Sequence, residues 1–409
     1  MNHASLEQPI PHLLIVSEAG SFAYYTFTNR LPLIIKQVIA ENDFSPSIIT
    51  KLDALAQDLL EGVVRSITGA GVDIAAWSNY VSPFLGNRII DTPFYFAETY
   101  FYRRLLEATD YFAAPDGARV DPFELQKRRS LEKVVASIRA ISAEIKSLNA
   151  VEFERDNLWQ QTLHKLLYFN LWGNRIDLSL NPTGADKLEH QRLEVTFNQE
   201  HVILDETAFI TEQLGAFRQA RIDFIVDNAG LELVSDLFII DFLLTSQVAE
   251  VVYVHLKSHP TFVSDAMEKD VYFTLDFLAN DSDLAVQGLS NRLKSHLASK
   301  RLYLIDHFFW TSPYFFWQMP DSLRQELSQS NLVFIKGDAN YRRLVGDCHW
   351  DKTSAFKDIV SYFPSALVVL RTLKSEVIVD LSSEQINKLN SQDTQWLTNG
   401  KWGVIQSGE

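Results

Sequence analysis

Two short segments that follow predicted strands carry oxygen ligands suited to a metal ion. Asp227 and Asn228 come directly after the apolar run 224–226, and Asp265 follows a loop after a second run that ends at Leu256. Carboxylate and amide oxygens are the ligands of hard divalent ions such as Mg²⁺ and Mn²⁺. These three residues therefore predict a metal site, and we expect its two carboxylates to lie at the surface and to add little to folding stability.

Cationic side chains follow two further predicted strands. One strand continues into the segment 336–343, KGDANYRR, and another is followed by Arg371 and Lys374. A bound metal would polarise a phosphoryl group and acidify a water molecule, while Lys336, Arg342 or Lys374 would offset negative charge in the transition state. Oxygen ligands and cations together favour metal-dependent hydrolysis of phosphate esters.

These residues can meet only if their strands lie parallel in one sheet. After about residue 190, short β-rich runs alternate with amphipathic stretches, and we predict strands over 223–226, 248–256, 302–305, 332–335 and 367–370. Helices are predicted over 231–245, 282–299 and 322–328. Such alternation is typical of a doubly wound, mostly parallel α/β sheet, which binds ligands beyond the carboxyl ends of its strands.

The first half of the chain has the periodicity of helices. Apolar residues recur at spacings of three and four over 48–63 and again over 131–148. We therefore predict a helical N-terminal domain, residues 1–190, packed on an α/β/α domain, residues 191–409, that carries the metal site.

Composition limits the classes of partner and the compartment. Lys and Arg number 37 against 52 Asp and Glu, a net charge of −15, which argues against binding to nucleic acid. The one cysteine, Cys348, excludes an internal disulfide. No uncharged apolar stretch of about 18 residues suggests a membrane span. We expect a cytoplasmic protein, with the nucleus as an alternative, that has neither a membrane nor nucleic acid as partner.

Each candidate also has a purely structural interpretation. An Asp-Asn pair after a strand often forms a turn or caps a helix, and Asp265 could cap the helix that follows it. The basic residues of 336–343 could form a solvated helix face. His255 and His259 stand four residues apart, but they span a strand end and form only a weak zinc candidate. The convergence of ligands and cations on one edge of one sheet favours the functional interpretation.

At the same positions the sequence resembles the damage-control phosphatases, a metal-dependent family. The resemblance rests on VDNAGLELVSDL around Asp227, FVSDAMEKD around Asp265, KGDANYRRL from Lys336 and RTLK from Arg371. The last of these is similar to the RTxK signature of the subfamily that acts on sugar phosphates. Three earlier segments are also similar to the family: SFAYYTFTNRLP (21–32), AETYFYRR (97–104) and LWGNRIDLSL (171–180).

The resemblance implies that Asp227, Asn228 and Asp265 bind Mn²⁺, Co²⁺ or Ni²⁺ in preference to Mg²⁺. It also implies that the substrate is fructose 1-phosphate or a related ketose phosphate, cleared as a reactive or damaged metabolite. The residues expected to bind substrate are Lys336, Asp338, Asn340, Tyr341, Arg342, Arg371 and Lys374, and those expected to be catalytic are Asp227, Asp265 and Lys336. Further residues expected near the site, or at the junction of the two domains, are Glu98, Arg104, Asn174, Asp177 and Glu232.

Two other functions stay open. Methylation of protein carboxyl groups with S-adenosylmethionine has been ascribed to an animal relative, although no glycine-rich loop follows the first predicted strand to hold that cofactor. The other alternative is a non-catalytic protein that binds sugar phosphates. Within the phosphatase hypothesis, Asp338 and Asp236 are both candidates for the general acid that protonates the leaving group.

Overall fold

A computed structural model describes residues 9–115, 118–148, 157–173 and 199–408. Asn174, Asp177 and the predicted boundary between residues 190 and 191 lie outside these ranges. Within the ranges, no helix combines the length and the apolar character that crossing a membrane requires.

Seven strands of the described residues form one sheet. They are β1 (Val202–Asp205), β2 (Ala220–Ile225), β3 (Ala249–Leu256), β4 (Leu302–Asp306), β5 (Leu332–Lys336), β6 (Leu367–Thr372) and β7 (Gly403–Ser407). Their order across the sheet is β1-β7-β6-β5-β2-β3-β4. The five strands from β2 to β6 run parallel, whereas β7 lies antiparallel to β6 and parallel to β1.

The five predicted strands are all present, and the sheet is mostly parallel as expected. The strands β1 and β7 were not predicted; they are parallel to each other, and β7 joins the sheet antiparallel to β6. Both are short, four and five residues, and they lie together at one side of the sheet.

Helices before and after the first strand surround the sheet. Before it lie α1 (Phe22–Tyr25), α2 (Leu31–Glu41), α3 (Pro46–Glu61), α4 (Ile74–Val81), α5 (Phe94–Ala108), α6 (Glu124–Lys133), α7 (Val135–Leu148) and α8 (Asn157–Gly173). After it lie α9 (Thr207–Ala216), α10 (Leu231–Thr245), α11 (Glu268–Ala279), α12 (Leu284–Ala298), α13 (Asp321–Leu327), α14 (Gly337–Val345), α15 (Phe356–Val360) and α16 (Ser383–Gln392).

Shorter helical turns connect these elements. A π-helix, Thr26–Arg30, joins α1 directly to α2. The described 3₁₀ turns are Ser82–Phe84, Ile89–Asp91, Tyr111–Ala113, Gln199–His201, Phe308–Thr311 and Phe316–Gln318.

The predicted helices correspond to α10, α12 and α13, and the helical first half is also confirmed. The helix α12 begins after Asp283, whose carboxylate accepts hydrogen bonds from the amides of Ala285 and Val286 and so caps the helix. The helices α9, α11, α14, α15 and α16 were not among the predicted ranges, although the structural interpretations of Asp265 and of 336–343 each assumed a helix there.

Alternate residues of each strand pack against different helices, which gives three layers. Val333 and Ile335 belong to a core that contains the helices α2 to α5, whereas Leu332 and Phe334 belong to a core that contains α8, α10 and α12. Residues two apart on a strand face the same side, so both faces of the sheet are buried. Helices from the first half therefore cover both faces, and the α/β fold class is confirmed.

The helix α14 is buried although three of its nine residues, Asp338, Arg342 and Arg343, are charged. The guanidinium of Arg343 has no exposed surface and donates to the carbonyl oxygens of Phe309, Trp310 and Tyr314 at 2.8–3.2 Å. It also lies against the rings of Phe309 and Phe316. This contact holds the aromatic segment 308–317 between the sheet and the N-terminal helices, so the interpretation of 336–343 as a solvated face was wrong.

We expect Arg343→Met to lower the free energy of unfolding by about 3 kcal/mol, because several buried carbonyl groups lose a charged donor. Urea denaturation followed by tryptophan fluorescence measures this change. The control is Arg139→Met, which removes an exposed ion pair with Asp281 and should leave the midpoint nearly unchanged. Equal midpoints for both variants would show that Arg343 does not hold the aromatic segment.

Candidate active site

The candidate site lies where the strand order of the sheet reverses. From β2 the chain proceeds through β3 and β4 to one side, whereas β5 and β6 lie on the other side of β2. The loops that leave β2 and β5 therefore diverge and open a crevice at the carboxyl edge, the usual ligand site of such sheets. Asp227 follows β2 by two residues, and Lys336 ends β5.

Backbone hydrogen bonds join the loop after β2 to the loop after β3. The amide of Ala266 donates to the carbonyl of Asp227, and that of Ala229 donates to Ser264, both at 2.7 Å. Asn228 and Asp265 are thereby paired as in an antiparallel bridge. The predicted ligands come together because two loops are fixed to each other, not because one loop carries all three.

The helix-cap interpretation of these residues was wrong. The helix α10 begins after Gly230, which adopts a φ of 77°, and α11 begins after Met267. Asp227, Asn228 and Asp265 are also 4%, 4% and 1% exposed, so the expectation of surface carboxylates was wrong too.

Asn228 is held on both sides of its amide group. Its Nδ2 donates to Asp227 Oδ2 at 2.9 Å and to Glu232 Oε2 at 2.8 Å, and its Oδ1 accepts from the Ser264 hydroxyl at 2.5 Å. An amide oxygen has two lone pairs, so this last bond is compatible with a ligand role. Two carboxylates and one amide oxygen form an all-oxygen donor set that fits a hard divalent ion.

The carboxylate of Asp227 packs directly on the backbone of Gly337. This glycine has a φ of 80°, and a Cβ there would lie 1.9 Å from Asp227 Oδ2. Only glycine has no Cβ and adopts this conformation without strain. The glycine of KGDANYR is therefore required for the position of the carboxylate.

The loop that carries Asp265 is strained and is held by aromatic packing. Phe262 and Val263 have φ angles of 45° and 68°, a region that non-glycine residues, and β-branched ones above all, rarely adopt. The Phe262 ring lies 5.9 Å from that of Tyr95 and 4.9 Å from that of Tyr102, both on α5. Strain of this kind persists where the surrounding structure fixes it, and it is frequent at functional sites.

A lysine that the sequence analysis did not select lies against the predicted metal ligands. Lys257 Nζ is 3.1 Å from Asp265 Oδ2, and both side chains are almost fully buried. Lys257 is the first residue after β3, so its place at a strand end was the available signal. The lysine balances one of the two carboxylates of the site.

Lys336 lies behind the ligand set. Its Nζ is 3.1 Å from Glu232 Oε1 and 3.2 Å from Asp236 Oδ1. Burial opposes the charged form of Lys336, but the two carboxylates outweigh burial and raise its pKa. For Asp236, burial raises the pKa to about 6. Because Glu232 also accepts from Asn228, Lys336 orients the amide through Glu232 and does not line the cleft.

Arg342 joins α14 to the N-terminal helix α5. Its guanidinium donates to Asp347 at 2.7 and 2.8 Å and to Glu98 Oε2 at 2.6 Å. Burial raises the pKa of Glu98, although Arg342 and Arg30 act in the opposite direction. Arg342 and Glu98 both line the cleft beside the metal-ligand candidates.

The RTLK segment is fixed by Asp338. Oδ1 of this carboxylate accepts from the Arg371 guanidinium at 2.8 Å and from the amide of Lys374 and the hydroxyl of Ser375, each at 3.1 Å. Arg371 has no exposed surface and also donates to the Val377 carbonyl. Asp338 and Lys374 line the cleft, whereas Arg371 lies beneath them.

Like Lys336 and Arg371, two further predicted substrate-binding residues have structural contacts instead of a place in the cleft. Asn340 Nδ2 donates to the carbonyls of Val226 and Lys336, and so links the ends of β2 and β5. Tyr341 stacks on Phe356 and lies under the Arg371 guanidinium; burial raises its pKa to about 12.

Arg104 lies in a different cavity. It pairs with Asp58 and Glu107, and the cavity around it is lined mainly by the helices α3 and α5 and the segment between α3 and α4. The structure therefore does not bring Arg104 to the candidate site.

The two histidines do not form a shared site. His255 Nε2 is 2.9 Å from Asp223 Oδ2, and His259 Nδ1 is 3.1 Å from the Pro260 carbonyl; burial lowers the pKa of His259 to about 4. Among the described residues, no three or more His, Cys, Asp or Glu side chains are grouped to hold a metal. A metal at the candidate site would thus have two carboxylates and one amide as protein ligands.

The cleft adds residues that the sequence analysis did not select. Phe22 and Arg30 come from the first helices, Phe262 from the strained loop and Ala339 from α14. Arg30 lies within the segment SFAYYTFTNRLP, whose resemblance to the family was the available signal. The predicted residues that the structure brings to the cleft are Glu98, Asp227, Asn228, Asp265, Asp338, Arg342 and Lys374.

Comparison with known proteins identifies the family. The profile of the damage-control phosphatase ARMT1-like domain matches residues 26–389. Damage-control phosphatase ARMT1 of Mus musculus is 30% identical over 97% of this chain and 98% of its own, and that of Danio rerio is 31% identical over 97% and 96%. A DUF89 family protein of Pyrococcus horikoshii aligns structurally with a TM-score of 0.48 and 14% identity over 94% of this chain and 98% of its own. The chain belongs to the family of damage-control phosphatase ARMT1-like domains.

Proposed function

We propose that this protein is a metal-dependent phosphatase that hydrolyses small phosphorylated metabolites, with fructose 1-phosphate and related ketose phosphates as substrates. The observation that carries the proposal is the convergence of Asp227, Asn228 and Asp265 with the cations Arg342 and Lys374 on one crevice. Membership of a family whose relatives are named damage-control phosphatases supports the same reaction class.

The three oxygen donors at the end of β2 and after β3 would hold the metal, which we propose to be Mn²⁺, Co²⁺ or Ni²⁺. When bound, such an ion supplies Lewis-acid polarisation of the phosphoryl group and a water of lowered pKa. Glu232 and Ser264 orient the amide of Asn228, and Gly337 leaves room for Asp227.

The remaining residues of the cleft position the ester. Lys374 and Arg342 lie beside the ligand set, where they attract a phosphoryl group and offset charge on its oxygens. Asp338 holds the Lys374 backbone through its Oδ1. Of the two candidates for the general acid, Asp338 lines the cleft, whereas Asp236 is buried behind it against Lys336, so the geometry favours Asp338.

Removal of one metal ligand should abolish turnover. We expect Asp227→Asn, which keeps the shape of the side chain, to reduce phosphate release from fructose 1-phosphate by at least about 100-fold, because the loss of a residue that only orients a metal ligand already costs up to that factor. Metal-stripped protein is assayed with Mn²⁺, Co²⁺, Ni²⁺ or Mg²⁺ added back. The control is Asp276→Asn, which changes an exposed carboxylate on α11. The absence of release by the unaltered protein with all four metals would refute the proposal.

Gly337→Ala should mimic the loss of Asp227. The added methyl group would overlap the carboxylate, so the variant should bind Mn²⁺ far more weakly and lose activity together with metal binding. Isothermal titration with Mn²⁺ measures the affinity directly. The matched control, Gly288→Ala, lies in α12, where the new methyl group meets only the flexible end of Arg292, and it should bind Mn²⁺ normally.

The variant Lys374→Ala tests which part of the substrate this residue contacts. If its ammonium contacts the phosphoryl group, as proposed, kcat/KM should fall equally for fructose 1-phosphate and p-nitrophenyl phosphate. A fall confined to fructose 1-phosphate would instead assign Lys374 to the sugar. The comparison requires that both substrates be assayed with the same metal and enzyme preparation.

A further inference from the structure

Arg30 brings a cation from the N-terminal helices to the wall of the cleft. It lines the same cleft as Asp227, Asn228 and Asp265, although nearly 200 residues of chain separate it from them. The side chain is 7% exposed, so most of its surface is packed in the protein. Arg30 is therefore fixed by packing at the wall of the cleft and is not a mobile surface charge.

The backbone around Arg30 is a π-helix, which is rare in proteins. The π-helical segment Thr26–Arg30 lies between α1 and α2, and Arg30 is its last residue. Segments of this kind frequently occur at functional sites, because the wider turn changes the direction of a side chain within a continuous helix. The π-helix therefore provides an independent sign that the orientation of Arg30 matters.

Local contacts fix the plane of the guanidinium. Arg30 Nη1 donates to Thr26 Oγ1 at 3.1 Å, and the guanidinium carbon lies 5.0 Å from the centre of the Phe22 ring. The backbone amide of Phe22 donates to Glu376 at 3.1 Å, which ties this helix to the segment that follows Lys374. The guanidinium is thus pre-oriented and belongs to the same rigid wall as the RTLK segment.

Arg30 and Arg342 both line the cleft, and both guanidinium groups act to lower the pKa of Glu98 against the effect of burial. Arg342 is hydrogen-bonded to Glu98 and Asp347, Arg371 to Asp338, and Arg343 to backbone carbonyls. A planar guanidinium that reaches the cleft is well suited to bind two oxygens of one phosphoryl group.

We propose that Arg30 binds the phosphoryl oxygens of the substrate and of the inorganic phosphate product. This inference rests on the proposed function and extends it, since it assigns the phosphoryl contact to the N-terminal helices. The site is then complete only when these helices pack on the sheet edge, and the side chain acts as a binding residue that raises affinity for an anionic ester.

Isothermal titration with inorganic phosphate tests the proposal without turnover. The protein is loaded with Mn²⁺, and the variants are Arg30→Met, Arg30→Lys and the control Arg129→Met, which changes an exposed arginine on α6. We expect the Kd of phosphate to rise roughly 10- to 100-fold in Arg30→Met, the range for loss of charge-assisted hydrogen bonds. Arg30→Lys keeps the charge without the planar fork and should give an intermediate rise, and Arg129→Met should give none.

Thermal melts show whether each variant is folded. If Arg30→Met does not fold, the Kd of Arg30→Lys decides the outcome. An unchanged Kd in a folded Arg30 variant, or no phosphate binding by the unaltered protein, would overturn the assignment. Kinetic measurements separate this assignment from the proposed function. In the Arg30 variants, KM should rise equally for fructose 1-phosphate and p-nitrophenyl phosphate. If the unaltered protein binds phosphate through Arg30 yet releases none from esters, the proposed function fails and the binding assignment stands.

Discussion

The pairing of buried charges at the carboxyl edge of the sheet is the constraint on which the rest of the site depends. Lys257 faces Asp265, Lys336 faces two carboxylates of α10, and Arg371 faces Asp338, all with little or no exposed surface. An isolated charge in such surroundings costs several kcal/mol, and a partner at hydrogen-bond distance offsets most of that cost. The elements that carry the partners must therefore pack in one arrangement, and that arrangement opens the crevice.

The same pairing joins the two halves of the chain. Glu98 on α5 forms an ion pair with Arg342 on α14, and this contact links an N-terminal helix to a helix that follows the sheet strand β5. The Tyr95 and Tyr102 rings of α5 support the strained loop before Asp265. The N-terminal helices thus contribute residues to the wall of the cleft and also hold the loop that positions a candidate metal ligand.

Much of the fold and part of the site could be predicted from the sequence. The apolar runs that became β5 and β6 are continuous because both of their faces are buried, and the polar residue at the end of each run marks the functional edge. The structural roles of Asn340 and Tyr341 could not be predicted, because a motif gives the order of residues but not the side of a helix that faces the cleft. On α14, Asp338 and Arg342 line the cleft, whereas Asn340 and Tyr341 face the sheet ends and α15.

The sequence by itself determined the α/β fold class, the five parallel strands and the group of residues Asp227, Asn228 and Asp265, because strand periodicity and residue chemistry are local properties. Only the tertiary structure showed that these carboxylates are buried, that Lys257 balances one of them, that Gly337 makes room for another and that Arg30 reaches the same cleft. These features depend on distances between residues far apart in the chain. Such distances are fixed by the packing of helices on the sheet, and no local pattern encodes them.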